Sequence, residues 1–187
     1  MAVQRLKIWR SNSIINNSSM IQRTLILIKP DAVRKNLTNE IIRRYKEVGL
    51  AVVKRKDLIA PMDIIEKHYS MDPEYLKSIG EKTIAAGQQV KSAEDQGRKV
   101  VTWLRKFITS GPIVALLLEG EDAVVLARKT TGFTDPATAE KGTIRGDLGT
   151  DNILDANREG RPVWNLIHAS GSEIEAKKEI ELWFGQV

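Results

Sequence analysis

The group in this chain with the most chemistry to offer is the imidazole of His168, in the stretch NLIHASGS at residues 165–172. Val163, Asn165 and Ile167 alternate with Trp164, Leu166 and His168 as the two faces of a strand do, so the ring stands at a strand's exit. Ser172 and Glu175 follow with the Ser-x-x-Glu spacing of a capping box, and Ala176, Ile180, Trp183 and Phe184 recur as a buried helical stripe. Ala169, Ser170 and Gly171 leave room around the ring, and a helix N-terminus beyond them favours a negative charge. The chemistry would be that of an imidazole facing a bound anion. Taken alone, the stretch also fits a histidine satisfied in the core at a strand end, the commoner fate of a lone histidine.

An anion needs cations. Lys29 closes the apolar run 24–28, Arg128 lies near the end of a helical segment, and Arg145 sits in a loop. Each by itself reads as a solvated surface charge. The loop 130–149, TTGFTDPATAEKGTIRGDLG, mixes hydroxyls, glycines and Arg145 with almost no apolar anchor. Such a loop can fold around phosphates, a guanidinium bonding two oxygens and hydroxyls a third. Gly80-Glu81-Lys82-Thr83 looks like a fragment of a phosphate-binding P-loop, but both glycines that the full pattern needs are missing, and no GxGxxG occurs. A nucleotide would have to be held by side chains.

The elements that must position these groups follow from periodicity. Residues 24–28 read as a buried strand, and 38–48 as a helix with Ile41, Ile42, Tyr45 and Val48 on one face and Gly49 beyond its end. Residues 50–59 read as a strand whose Lys54, Arg55 and Lys56 imply an exposed or edge position, and Pro61 opens a short helix through His68 and Tyr69. Residues 72–109 are helical with a polar loop at 87–97; 113–118 form a strand, 121–129 a helix and 130–161 a long loop rich in glycine. With the final strand and helix, the core order is βαββαβ. It predicts an α+β, ferredoxin-like sandwich: a four-stranded antiparallel sheet with helices on one face, a helical insertion and a long active-site loop.

Composition sets the outer limits. At 187 residues and 42% apolar, the chain can bury one good core, read as a single domain over 21–187. Residues 1–20 are acid-free and end in a Ser/Asn run, and read as a disordered extension rather than a targeting signal. No run is long and apolar enough to span a membrane. The absence of cysteine excludes disulfides and thiolate chemistry and is compatible with a reducing cytoplasm. A formal net charge of +5 suits an anionic partner.

Taken together, KPDAV (29–33), SGP (110–112), ARKTTGFTDPATAEKGTIRGDLG (127–149), NLIHASGS and EIELWF (179–184) resemble the nucleoside diphosphate kinase family, in its long, archaeal-type form. The likeness covers nearly everything from residue 23 to residue 184, and GTIRGD followed by NxxHxS is its most specific part. It implies ping-pong transfer of the γ-phosphoryl group from a nucleoside triphosphate to a nucleoside diphosphate through phosphohistidine at His168. By the same resemblance Glu179 and Ser170 orient the imidazole, Tyr69 helps position the site, and Lys29, Arg128, Thr134, Arg145 and Asn165 contact phosphates and sugar. Mg²⁺ would bridge the nucleotide's phosphates rather than occupy a protein cage. The implied assembly is a homo-oligomer, a hexamer ahead of a tetramer, with neither nucleic acid nor membrane as an obligate partner. As a loop cation, Arg145 is expected to matter to rate more than to fold.

The chain departs from the family pattern in three places. Gly171 stands where aspartate is common, removing a carboxylate near the histidine. Residues 151–162 lengthen the connection to the last strand. The helical insertion leaves the base-stacking position unassigned, near Val101 or Trp103. Two other readings are an RNA-binding module on the same sheet, which the aliphatic strands disfavour, and a relative that has lost activity through Gly171 and the altered loop.

Overall fold

The computed structural model describes residues 21–186; the extension expected at 1–20 lies outside them. The chain runs β1 (Ile21–Ile28), α1 (Pro30–Arg34), α2 (Thr38–Glu47), β2 (Ala51–Leu58), α3 (Met62–His68), α4 (Pro73–Ala85), α5 (Ala93–Ile108) and β3 (Ile113–Glu121). There follow α6 (Ala123–Thr131), a 3-10 turn (Pro136–Thr138), α7 (Ile144–Leu148), α8 (Ile153–Arg158), β4 (Ile167–Ala169) and α9 (Glu173–Phe184). The four strands form one sheet in the order β2-β3-β1-β4, every neighbouring pair antiparallel. This is the ferredoxin-like arrangement that the element order predicts.

The two central strands explain where the helices go. β1 and β3 are apolar at consecutive positions, so neither face of the sheet can be left to water. Leu25 and Leu27 point into a layer with Ile65, Leu76, Val101, Ile108 and Trp183, from α3, α4, α5 and α9. Ile26 and Ile28 point the other way, into a layer with Ile41, Tyr45, Ala127 and Ile144, from α2, α6 and α7. The crossover helices α2 and α6 thus share one face as expected, and the helical insertion, joined by α9, covers the other. No helix among the described residues is long and apolar enough to cross a membrane.

Three local expectations change, each for a visible reason. The polar segment 87–97 is helical from Ala93, where Ser92 caps α5 by accepting from the Asp95 amide at 3.2 Å. Gly97 is a packing residue rather than a breaker: a Cβ there would stand 1.8 Å from the Leu76 carbonyl oxygen, and one at Gly80 1.8 Å from that of Ala93. The glycine-rich span 130–161 contains α7 and α8, capped by Thr143, which accepts from the Gly146 amide at 3.1 Å, and by Asn152, which accepts from the Asp155 amide at 2.8 Å. The last strand shrinks to three residues because Leu166 adopts φ 69° and donates its amide to the Asp31 carboxylate at 3.0 Å, which breaks the alternation upstream of Ile167.

Candidate active site

His168 lies opposite Leu27 in the β1–β4 ladder and therefore points into the layer of Leu25 and Leu27, under α9 and α3. Its Nε2 is fully buried 2.8 Å from Glu179 Oε1, close in distance but off the hydrogen-bond axis of the ring. Of the two ring nitrogens, Nδ1 is thus the one left for a ligand, and His168 lines a cavity of about 780 Å³. Burial lowers the ring's pKa to about 3, with Lys29, Lys82 and Arg145 adding to the shift against the opposing pull of Glu175. The ring is neutral throughout the physiological range.

Glu179 is fixed from both sides. Ser170 Oγ donates to its Oε2 at 2.5 Å and accepts from the Leu25 amide at 3.2 Å, which fastens α9 to β1. Burial raises the Glu179 pKa. His68, the second histidine, was not anticipated as a site residue. Its ring stands edge-to-face on that of His168 at a centroid distance of 4.5 Å, with Nδ1 accepting from Trp183 Nε1 at 3.3 Å and lying 3.4 Å from Glu179 Oε1. Burial, and then His168, lower its pKa to about 3. Adjacency to Tyr69 gave no hint of this, because the pairing exists only once α3 crosses the sheet.

The cations come from three directions. Lys29, at the β1–α1 junction, is held by its amide donating to the Leu166 carbonyl at 2.8 Å and by Nζ donating to Asn165 Oδ1 at 2.7 Å. Burial, then Arg145, lower its pKa to about 7. Asn165 Nδ2 donates to the Thr134 carbonyl at 2.9 Å, so the loop, Lys29 and β4 are tied at one residue. Arg128 and Thr134 line the cavity, as does Tyr69, whose buried hydroxyl has no partner among the described residues and whose pKa burial raises. Lys29, Tyr69, Arg128, Thr134, Arg145, Asn165 and His168 therefore share one cavity, with Ser170 and Glu179 behind the ring.

Arg145 departs from expectation. Only 8% exposed, it donates from Nε to the Asn165 carbonyl at 3.0 Å, from Nη1 to that of Gly132 at 3.0 Å and from Nη2 to that of Ile167 at 2.7 Å. A side chain that crosslinks three segments from a helix is part of the fold, so Arg145 is not the loop cation expected, and its loss should cost fold as well as rate. Guanidinium has five N–H donors; three serve carbonyls here, which leaves one on each Nη for a ligand.

The departures also find structural accounts. Glu175 donates its amide to Ser172 Oγ at 3.2 Å, as a capping box requires, but its carboxylate accepts from the Gly171 amide at 2.7 Å instead of reaching back to the cap. A Cβ at Gly171 would meet Glu175 Oε2 at 2.4 Å and lie 3.7 Å from Arg128 Nη1. A carboxylate from α9 thus stands beside residue 171. Residues 151–162 contain α8, and Asp151 before it is clamped by Arg161 after it at 2.6 Å and by the Trp164 amide at 2.8 Å. The cavity's apolar wall includes Ile79, Val100, Leu104, Phe133, Ile153 and Val163; Val101 is buried in the core instead, and Trp103 is not among the lining residues.

The match to known proteins is as broad as this geometry suggests. The family model described as nucleoside diphosphate kinase matches residues 22–187. The chain belongs to the nucleoside diphosphate kinase family. A nucleoside diphosphate kinase of Pyrobaculum aerophilum is 42% identical over 174 residues, covering 88% of this chain and 95% of its own. One from Staphylococcus epidermidis is 39% identical over 164 residues, covering 88% of each. Among solved structures, the crystal structure of an NDP kinase from P. aerophilum superposes with a TM-score of 0.82 at 40% identity, covering 88% of this chain and 96% of that one. A transition state mimic of the Borrelia burgdorferi nucleoside-diphosphate kinase, with bound vanadate and ADP, gives 0.72 at 33% identity, covering 88% and 87%. By family, then, this is an enzyme of nucleotide phosphoryl transfer.

Proposed function

We propose that the chain transfers the γ-phosphoryl group from a nucleoside triphosphate to a nucleoside diphosphate through a covalent intermediate on His168. The observation that carries this is the buried Nε2 beside Glu179, with the rest of the ring open to a cation-lined cavity. The Nδ1 lone pair attacks the γ-phosphorus; the bond to the β,γ-bridging oxygen breaks, and the nucleoside diphosphate leaves with those electrons. Substituting the second nitrogen makes the ring cationic, and Glu179, 2.8 Å from Nε2, stabilises that charge as it develops. A second nucleoside diphosphate reverses the step and carries the phosphoryl group away.

Ser170 keeps Glu179 in place, Lys29 and the two free Arg145 donors neutralise the polyphosphate, and Arg128, Thr134 and Asn165 add phosphate and sugar contacts. The unpaired Tyr69 hydroxyl supplies a donor near the transferring group. The carboxylates lining the cavity are Glu81 and Glu175, too few for an all-protein cage of a hard divalent ion. This donor set fits a Mg²⁺ that would be held mainly by the nucleotide and would supply charge neutralisation there. The apolar wall sandwiches the base, which gives a broad nucleotide preference. The same reading carries a cytoplasmic enzyme assembled as a homohexamer, which sedimentation measures.

The test is labelling with γ-³²P-ATP. The wild-type protein is expected to acquire acid-labile, alkali-stable label that GDP removes as GTP, and His168→Ala is expected to bind ADP yet stay unlabelled. Label in His168→Ala would place the intermediate elsewhere and defeat the reading.

A further inference from the structure

The inserted hairpin α4–α5 carries a cation that the site described above does not use. Gly80-Glu81-Lys82-Thr83, discounted as an incomplete P-loop, lies in the last turns of α4, and Lys82 lines the same cavity as His168. Its backbone is held on both sides. Two residues before it, Gly80 lets α4 and α5 touch backbone to backbone, since a Cβ there would stand 1.8 Å from the Ala93 carbonyl oxygen. One residue after it, buried Thr83 accepts from Asn157 Nδ2 at 3.4 Å, and the same amide group donates to Gln88 Oε1 at 2.8 Å, which ties the hairpin to α8. The helical insertion and the lengthened loop thus meet each other at the residue next to Lys82.

The charges around Lys82 point to what it meets. Its side chain is exposed along the open wall of the cavity, yet protein surrounds it closely enough that burial lowers its pKa, and Arg145 and Arg128 lower it further. Glu175 is the one carboxylate that opposes them, and no hydrogen bond to Lys82 contributes. Lys82 in turn acts against the charged form of Lys29. Four cations converge from α4, α6, α7 and the end of β1 and repel one another until an anion enters. A polyphosphate relieves that repulsion, and a single carboxylate does not.

We propose that Lys82 is a fourth phosphate-contacting cation, delivered by the inserted hairpin to the polyphosphate of the bound nucleotide. This deepens the proposed function and rests on it for the identity of the ligand. The test measures ADP affinity by calorimetry, as a function of salt, for the wild type and for Lys82→Met, Lys82→Arg and Lys82→Glu. A hydrogen bond to a charged group corresponds to about a tenfold change or more. Lys82→Met is expected to weaken ADP by that factor, Lys82→Glu by more and Lys82→Arg by less, with a shallower salt dependence for Met and unchanged melting temperatures. Equal ADP affinity and salt slope in the wild-type, Met and Glu proteins overturns the inference. A merely structural role would not grade affinity by charge. The outcomes separate from the function itself: a wild-type protein that binds ADP with this charge dependence but takes no label from ATP leaves Lys82 as assigned and removes the phosphohistidine.

Discussion

Replacing Arg145 by alanine should damage the fold as well as the reaction, and the size of that damage can be worked from its bonds. The guanidinium serves the carbonyls of Asn165 and Ile167 in buried positions and that of Gly132 at the partly buried cavity edge. Water entering the cavity can rehydrate Gly132, so only the two buried acceptors are counted. A buried acceptor left without a donor costs about 1–3 kcal/mol, or roughly 2–6 kcal/mol for the pair. Some of this returns, because burial makes the charge itself expensive: the pKa of Arg145 is lowered to about 10, by desolvation first. A net loss of about 2–4 kcal/mol remains, which for a domain of this size lowers the melting temperature by roughly 4–16 °C. Thermal denaturation followed by circular dichroism measures it. Arg145→Lys keeps a charge but not the fork, and should fall between the two proteins. Arg145→Ala melting with the wild type, while losing activity, would mean that the three carbonyl bonds contribute nothing net and that the side chain serves the ligand alone.

Two further outcomes follow from the same surroundings. His68 and His168 are both held neutral, with pKa values lowered from 6.5 to about 3. The unfolded chain therefore binds more protons between these values, and stability should fall as pH drops from 6.5 towards 3, by at most about 1.4 kcal/mol per pH unit for each ring. Glu179, whose pKa burial raises, titrates in the opposite sense and offsets part of the slope. Urea midpoints at pH 7, 6 and 5 test this, and a flat profile would contradict neutral burial of the pair. Gly171→Asp, which installs the residue expected from the family pattern, should be close to neutral, within about 0.5 kcal/mol, because the atom its Cβ would meet at 2.4 Å, Glu175 Oε2, is the tip of a flexible side chain that can move aside at an exposed turn. Urea denaturation of the variant checks this, and a large loss of stability would show that Glu175 cannot leave the turn.

How much was legible in the sequence depended on whether a signal was local. The strand 24–28, the stripe of α9 and the capping Ser172 are set by neighbours a few residues away, and their periodicity sufficed. The helices α7 and α8 carried local signals too, Thr143 and Asn152 as caps, but glycines at Gly142, Gly146 and Gly149 outweighed them. Gly146 is not a breaker: a Cβ there would lie 2.0 Å from the Glu140 carbonyl oxygen, so the glycine permits close packing. Nothing local separates that use of glycine from a turn. His68, Lys82 and Glu175 escaped for a related reason, since each reaches the site through a contact made only after α3, α4 and α9 have docked.

The three departures from the family pattern are linked through this docking. Gly171 leaves space, Glu175 fills it with a carboxylate near Arg128, and Lys82 enters from the insertion into a cavity that Glu175 also lines. An added cation beside Arg128 and Arg145 would by itself raise the cost of the empty site. The Glu175 carboxylate, which accepts from the Gly171 amide at 2.7 Å and lines the same cavity, opposes that cost. The turn at Gly171, the loop held by Asn157 and the inserted hairpin thus meet around one cavity, and a change of charge in any of them is expected to be felt by the other cations that line it.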